Sequence, residues 1–444
     1  MNNKNHITFH FLFSIACTPV YLYAGIAIKL LLLPYIVWMV FKKNAAFLPV
    51  FCIQVITETM IMNVIYASII IVCIREYHVL KRYAIHRLFN LLLLILPAYL
   101  FFCFLLVYRH HVKFNDAVLR LNFFIPLFSF FYGVLIAKSF DRTVIRNIVL
   151  AMAVVYLFHL TNFLHVRFLF YAIPLFGSAM ALAFTRNKKY RPILIASGIF
   201  WIYYLFTIKE TTFTLLFIIF FSLLFSAVYF SKLKIAFFKH LTAFSLLASA
   251  TAMIYGMVTF SQTDYSVSAQ NDYEKSFDLK GFKYKFFEDR VPFWVAGFKQ
   301  IMEQRHVLFP IVVEDVVVDE ISETKDIEVT FGAHNFYLEA VRTNGFIGGI
   351  LLISFFVVFL NKGVKIFRVK NLHPPFVIIV STTISASIVG CFTGTFPMMP
   401  PFGLMSICML GVCFAVWANN TNTGRRRQAK KFMNKTGEAA GLPV

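Results

Sequence analysis

Apolar stretches follow one another along most of the chain, and short polar segments separate them. A helix needs about 20 apolar residues to cross the hydrocarbon core of a membrane. The pattern therefore predicts an all-α polytopic membrane protein with about 12 transmembrane helices. The predicted spans are residues 12–33, 47–73, 88–107, 118–137, 146–165, 168–185, 192–208, 212–231, 241–260, 346–361, 375–393 and 402–418. The first lies in an apolar run that could instead hold two short helices.

Composition agrees with a membrane location. Apolar residues make up 59% of the 444 residues, against about 45–50% in soluble domains. The net charge of +21 would also suit a nucleic-acid-binding protein. However, the Lys and Arg residues occur in short clusters between apolar stretches, which is the arrangement of cytoplasmic loops in membrane proteins. We therefore expect membrane lipids as partners, and no nucleic acid.

Six basic clusters predict the orientation. They lie at residues 75–87, 138–146, 186–191, 232–239, 362–370 and 425–435, and an even number of predicted spans separates each from the next. One topology therefore places all of them in the cytoplasm, together with both termini. In this topology Lys42-Lys43 and residues 109–120 lie on the outer face, against the rule.

One long hydrophilic segment interrupts the spans. It contains 15 of the 21 acidic residues of the chain, between Asp264 and Glu339. A loop of this length is usually functional. The predicted organisation is a transmembrane region at residues 1–260, an outer loop with amphipathic helices at 261–345, a second transmembrane region at 346–418 and a basic cytoplasmic tail at 419–444.

The middle of the loop contains a predicted amphipathic helix. Trp294, Phe298 and Ile301 recur at helical spacing, with the charged residues Lys299 and Glu303 beside them. This pattern is typical of a helix on a membrane surface. Arg290 precedes it, and by itself would be an ordinary solvated charge.

The end of the loop offers an acid–base candidate. His334 lies at the predicted membrane–water boundary, and an imidazole can accept a proton at neutral pH. Asn335 could donate hydrogen bonds, and Glu339, about one helical turn further on, could orient the ring. A boundary histidine is more often structural, so the residues alone favour a structural role for His334.

A second charged pair, Lys209-Glu210, follows an apolar stretch. Charged residues inside a membrane are costly and are often functional, although a pair at a helix end can also extend to the interface. The sequence contains no Gly-rich phosphate loop, no His-Glu-x-x-His motif and no paired cysteines with metal spacing. We therefore expect neither a metal site nor a cofactor.

Two segments together resemble the bacterial O-antigen ligase and O-antigen polymerase family. The segment at residues 333–349 resembles the family's His-Asn-x-x-Leu-Glu signature followed by two glycines, here Gly345 and Gly348. The segment at residues 289–301 resembles the family's Arg-x-x-x-Trp stretch. Lys209 stands where the family carries an arginine, and it supplies a point charge rather than a bidentate fork.

The resemblance implies a metal-independent glycosyltransferase in the bacterial inner membrane. Its donor would be an undecaprenyl-pyrophosphate-linked glycan, its acceptor lipid A–core or another glycan, and its active loop periplasmic. His334 would be the general base, and Arg290 and Lys209 would stabilise the pyrophosphate. Four residues would support the site: Asn335, Glu339, Glu210 and Trp294.

Three other functions remain open on the sequence. A polymerase, which uses a lipid-linked acceptor, shares the signature with a ligase. A polysaccharide or lipid transporter would also have about 12 spans, but transporters usually have two related halves. Here the acidic loop divides the predicted spans unequally. The last alternative is a membrane scaffold without catalytic activity.

Overall fold

A computed structural model describes eleven α-helices that are labelled below, mostly in the spans predicted above, together with shorter helical segments. It covers residues 9–13, 16, 26–45, 59–110, 123–140, 142–150, 212–231, 236–260, 294, 297–298, 300–302, 335–393 and 404–421. The helices are α1 (Ile26–Phe41), α2 (Thr59–Arg75), α3 (Tyr77–Arg82), α4 (His86–His110), α5 (Phe128–Ile136), α6 (142–150), α7 (Thr212–Phe230), α8 (Ala236–Phe260), α9 (Phe336–Val364), α10 (Pro374–Thr393) and α11 (Leu404–Thr421).

The prediction of an all-helical membrane protein is confirmed in this part of the chain. Three of its helical segments are long and apolar enough to cross a membrane, and several shorter apolar helices accompany them. The predicted spans at 168–185 and 192–208 and the basic tail lie outside the described residues. The total of about 12 spans therefore stays a prediction.

The first span differs from its prediction. The helix there is α1, which extends to Phe41, whereas the sequence predicted a span at residues 12–33. Lys43, just beyond the helix, has a left-handed backbone with φ of 54°, which is a common way for a helix to end. An unbroken apolar run does not show where a helix ends, so the end of α1 is set by the left-handed turn at Lys43.

The C-terminal ends of α1 and α2 lie together. Lys43 Nζ is 2.8 Å from Glu76 Oε1, and Arg75 Nη2 donates to the carbonyl of Phe41 at 3.0 Å. The hydrogen bond from Lys43 lowers the pKa of Glu76, and the nearby positive charges add to this effect. The prediction that Lys42-Lys43 and the basic cluster at 75–87 lie on opposite faces is therefore wrong.

Other basic segments lie at the same end of the helix bundle. Lys362 and Lys365, after the apolar part of α9, lie over the rings of Phe414 and Trp417, with 5.0 and 4.8 Å between Nζ and the ring centroids. The Tyr83 hydroxyl, which follows α3, donates to Asn419 Oδ1 at 2.9 Å near the end of α11. We call the end that contains Lys43, Arg75, Lys362 and Lys365 the basic end.

Helix α10 lies at the centre of the bundle. Its apolar segment is 94% buried, and the helix packs against α7, α8 and α9. The helix nevertheless contains several Ser and Thr residues. Thr382, Thr383 and Ser387 each donate to the carbonyl four residues earlier, at 2.8–2.9 Å. These three hydroxyls are satisfied within the helix, whereas the buried hydroxyls of Ser381 and Ser385 have no hydrogen-bond partner among the described residues.

Two glycines allow α5 and α11 to approach closely. A Cβ added to Gly133 would overlap the carbonyl of Cys408, and one added to Gly411 would overlap the carbonyl of Phe130. Small residues at such crossings are typical of membrane helix pairs, in which packing replaces the hydrophobic driving force. The ring of Phe130 stacks on Phe359 of α9 at 4.1 Å, which adds α9 to the same contact.

We expect Gly411→Ala to destabilise the protein, although alanine favours a helix by about 1 kcal/mol over glycine. Overpacking costs about 1–3 kcal/mol, and here the new methyl group meets backbone that cannot move aside. The control is Gly363→Ala, whose Cβ would meet Leu410 Cδ2, the end of a rotatable side chain, at 2.6 Å. Thermal unfolding in detergent measures both variants. Equal stability of the two variants would contradict the close crossing.

Candidate functional site

The candidate site is at the end of the bundle opposite the basic end, where α9 begins. Asn335 is the N-cap of α9, with φ of −145° and ψ of 121°. Its Oδ1 accepts from the backbone N–H groups of Tyr337 and Leu338 at 3.0 and 3.1 Å. Its Nδ2 donates to the carbonyl of Phe392 in α10 at 3.2 Å. This fully buried side chain therefore holds the start of α9 against the end of α10.

Helix α9 breaks at Gly345, which has φ of 70° and ψ of 177°. This backbone conformation is essentially restricted to glycine. The break separates residues 336–344 from residues 346–364, so the predicted start of the span at 346 coincides with the second half. Gly348 is also required, because its Cβ would lie 2.9 Å from Cβ of Asn344. Both glycines of the signature are therefore needed for the break in α9.

Polar side chains connect the break to α4. The Tyr99 hydroxyl donates to Asn344 Oδ1 at 2.5 Å, and Asn344 Nδ2 donates to the carbonyl of Ala340 at 3.1 Å. Asn344 is 1% exposed. The contact between Tyr99 and Asn344 joins residues far apart in the sequence, so the hydrophobic pattern could not predict it.

A buried ion pair lies one turn into α9. Arg342 Nε donates to Glu339 Oε2 at 3.0 Å, and Arg342 Nη2 donates to Glu339 Oε1 at 2.6 Å. The Thr343 hydroxyl adds a bond to Glu339 Oε1 at 3.1 Å. Glu339 is 7% exposed and Arg342 is 4% exposed. Isolated charges would be very costly here, and the bidentate pairing offsets part of that cost.

The ion pair also contacts the predicted loop helix. Arg342 Nη1 donates to Gln300 Oε1 at 3.3 Å. We call residues 294–302, whose described members are helical, the loop helix. Trp294 and Ile301 are buried at 1% and 4% exposure, whereas Phe298 is 45% exposed. The predicted apolar face is thus correct for Trp294 and Ile301, but the buried stripe is displaced toward Gly297 and leaves Phe298 at its edge.

The structure describes three of the seven predicted site residues. Trp294, Asn335 and Glu339 belong to the elements that meet at this end of the bundle. The other four, His334, Arg290, Lys209 and Glu210, lie outside the described residues. The suggested role of Glu339 in orienting His334 therefore stays a prediction. Its described bonds go to Arg342 and Thr343, so it acts at least as the counter-ion of a buried arginine.

Arg342 and Gln300 were not among the residues predicted from the sequence. The signal for Arg342 was present, since Glu339 and Arg342 are three residues apart and next to an apolar span. On a helix this spacing places two opposite charges side by side, and charges in a membrane segment usually have a named partner. Gln300 had no such signal, because its contact with α9 is across 42 positions of the chain.

No family model matches the chain, no curated protein is detectably similar, and no solved structure matches. Within the described residues, no group of three or more His, Cys, Asp or Glu side chains could hold a metal ion. The resemblance therefore depends on its motif residues, and what it implies about function is a proposal.

We expect Glu339→Gln to destabilise the protein by about 3–5 kcal/mol, because it leaves the buried guanidinium without its counter-charge. The double variant Glu339→Gln/Arg342→Met removes both charges and should recover much of this loss. Unfolding in mixed detergent micelles measures the free energies. Arg75→Gln is the control, because the contacts of Arg75 with Glu76 and with the carbonyl of Phe41 are exposed and should contribute only about 1 kcal/mol. A double variant no more stable than the single one would contradict this account.

Proposed function

We propose that the chain is an O-antigen ligase-type glycosyltransferase that moves a glycan from undecaprenyl pyrophosphate to lipid A–core on the periplasmic face of the bacterial inner membrane. The observation that carries the proposal is the contact between Gln300 and Arg342 at 3.3 Å. It joins the two segments on which the family resemblance depends. A shared active site would require this proximity of segments that are distant in the sequence.

The distribution of charge supports the orientation. Basic residues collect at one end of the bundle, and the positive-inside rule would place that end in the cytoplasm. The Asn335 end of α9 would then face the periplasm. Nucleotide sugars are not available there, so a donor must arrive linked to a lipid. Pyrophosphate is a good leaving group, and its growing charge can be stabilised by basic side chains without a metal.

In the proposed reaction, His334 accepts the proton of the acceptor hydroxyl. The oxygen attacks the anomeric carbon and forms the new glycosidic bond while the bond between that carbon and the pyrophosphate oxygen breaks. Undecaprenyl pyrophosphate leaves with the electron pair, and the configuration at the anomeric carbon inverts. Arg290 and Lys209 stabilise the leaving group. Asn335, directly after His334 in the sequence, anchors this part of the chain through its cap of α9.

One observation favours a different class of protein. The break of α9 at Gly345 produces a discontinuous membrane helix, which is common at the substrate sites of transporters. The alternative is a polysaccharide or lipid transporter. A transporter would move a lipid-linked glycan across proteoliposome membranes without forming a new glycosidic bond, whereas a transferase would form the bond without net movement. Assays of flux and of product on the same preparation separate the two.

We expect His334→Ala to lower the transfer rate by about 10²–10⁴-fold, the usual contribution of a general base. The assay supplies purified protein with undecaprenyl-pyrophosphate-linked glycan and lipid A–core. His78→Ala is the matched control, because His78 is exposed at the basic end. Transfer by His334→Ala at the parental rate would remove His334 from the mechanism. Activity lost with a chelator and restored by a divalent ion would contradict the metal-independent reaction.

Deletion in the producing bacterium distinguishes a ligase from a polymerase. We expect loss of the protein to leave lipid-linked polymer that is not joined to lipid A–core, visible as the absence of polymer from extracted lipopolysaccharide. A polymerase uses the same chemistry with a lipid-linked acceptor. Its loss would instead leave cores capped with a single repeat unit, and this outcome would overturn the choice of acceptor.

A further inference from the structure

We propose that Arg342 and Gln300 are positioning residues that hold the loop helix in register with the start of α9. We call their contact the Gln300–Arg342 clamp. The inference depends on the proposed function, because it assigns these residues a part in aligning the catalytic groups. The existence of the clamp can be tested without any assay of activity.

The geometry of the Arg342 guanidinium determines the direction in which its Nη1 donates. A guanidinium presents its donors in a rigid plane. Glu339 occupies the edge formed by Nε and Nη2, at 3.0 and 2.6 Å. The direction of Nη1 is therefore set by α9, and Nη1 donates to Gln300 at 3.3 Å. Because Glu339 already fills the bidentate edge, Arg342 does not offer that edge to a phosphate.

The other buried side chains described in the loop helix are apolar. Trp294 and Ile301 bury apolar surface, and such contacts are non-directional. Phe298 and Met302 are exposed at 45% and 62%. A helix held only by an apolar stripe can slide or rotate at small cost. The clamp adds a directional bond to a guanidinium that is 4% exposed, where hydrogen bonds are stronger than in water.

Each residue of the clamp follows one of the proposed catalytic residues in the sequence, Gln300 after Arg290 and Arg342 after His334. Arg290 precedes Trp294 by four positions, and four residues of chain extend over at most about 14 Å. His334 directly precedes Asn335, whose side chain is bonded to the carbonyl of Phe392 at 3.2 Å. A shift of the loop helix relative to α9 would thus move Arg290 relative to His334. Displacements near 1 Å can cost about a hundredfold in rate.

Hydrogen exchange of the full-length protein in lipid nanodiscs tests the clamp. We expect backbone amides of residues 294–302 to exchange several-fold faster in Gln300→Ala and in Arg342→Lys than in the parent. Lysine can neutralise Glu339, but it cannot hold Gln300 in the same plane. Glu76→Gln, which alters the ion pair at the basic end, is the control and should leave these amides unchanged. Unchanged exchange in both clamp variants would overturn the clamp.

Steady-state kinetics tests the positioning role. We expect Gln300→Ala to lower kcat by about tenfold to a hundredfold, with KM for the donor changed less than twofold. Gln300→Glu, which can still accept from Arg342, should restore most of kcat. The effects of Gln300→Ala and Arg342→Lys should not add, because both remove one contact.

The outcomes separate the two proposals. Faster exchange with an unchanged kcat would overturn the positioning role and leave the clamp as a purely structural contact. Additive effects, or failure of Gln300→Glu to restore kcat, would also count against positioning. A parent protein that transfers no glycan would overturn the proposed function and with it the positioning role, while the exchange experiment would still decide whether the clamp exists.

Discussion

Burial of charged and polar groups inside an apolar helix bundle is the constraint on which this structure depends. A charged or polar group that is buried there without a hydrogen-bond partner is costly, most of all when it is charged. Glu339 and Arg342 meet this requirement with a bidentate pair in which every bond is 3.0 Å or shorter. The same requirement explains the back-bonded hydroxyls of α10. Polar residues in these helices are therefore tolerated where partners are within reach, and their partners decide which segments come together.

The ion pair has consequences beyond its own turn of helix. It allows α9 to begin at Phe336, about ten residues before the apolar stretch that predicts a span. It also leaves one guanidinium nitrogen for Gln300, at 3.3 Å, and so connects α9 to the loop helix. The break at Gly345 separates this polar segment from the apolar remainder of the helix. The proposed chemistry would be located where a membrane helix changes from a polar to an apolar environment.

The two ends of the bundle differ in how well the sequence predicted them. Charge clusters correctly indicated that Arg75 and Lys362 lie at one end, because the positive-inside rule acts on local sequence. The rule failed for Lys43 because one crossing, at residues 47–73, was predicted between it and the cluster at 75–87, whereas the two lie at the same end of the bundle. The contact of Lys43 with Glu76 at 2.8 Å brings it back to the basic end and agrees with the rule. An error in the predicted number of crossings had produced an apparent exception.

The sequence by itself determined that the described part of the chain is helical and which segments are apolar enough to enter a membrane. It also indicated polar residues with structural contacts at Asn335 and Glu339. These properties depend on periodicity, hydropathy and neighbouring residues. Tertiary structure alone decided the partners: Tyr99 for Asn344 and Gln300 for Arg342. Such contacts join residues far apart in the chain, and many pairings are compatible with the same apolar pattern. Only packing of the whole bundle selects among them, since it determines which buried polar groups can reach each other.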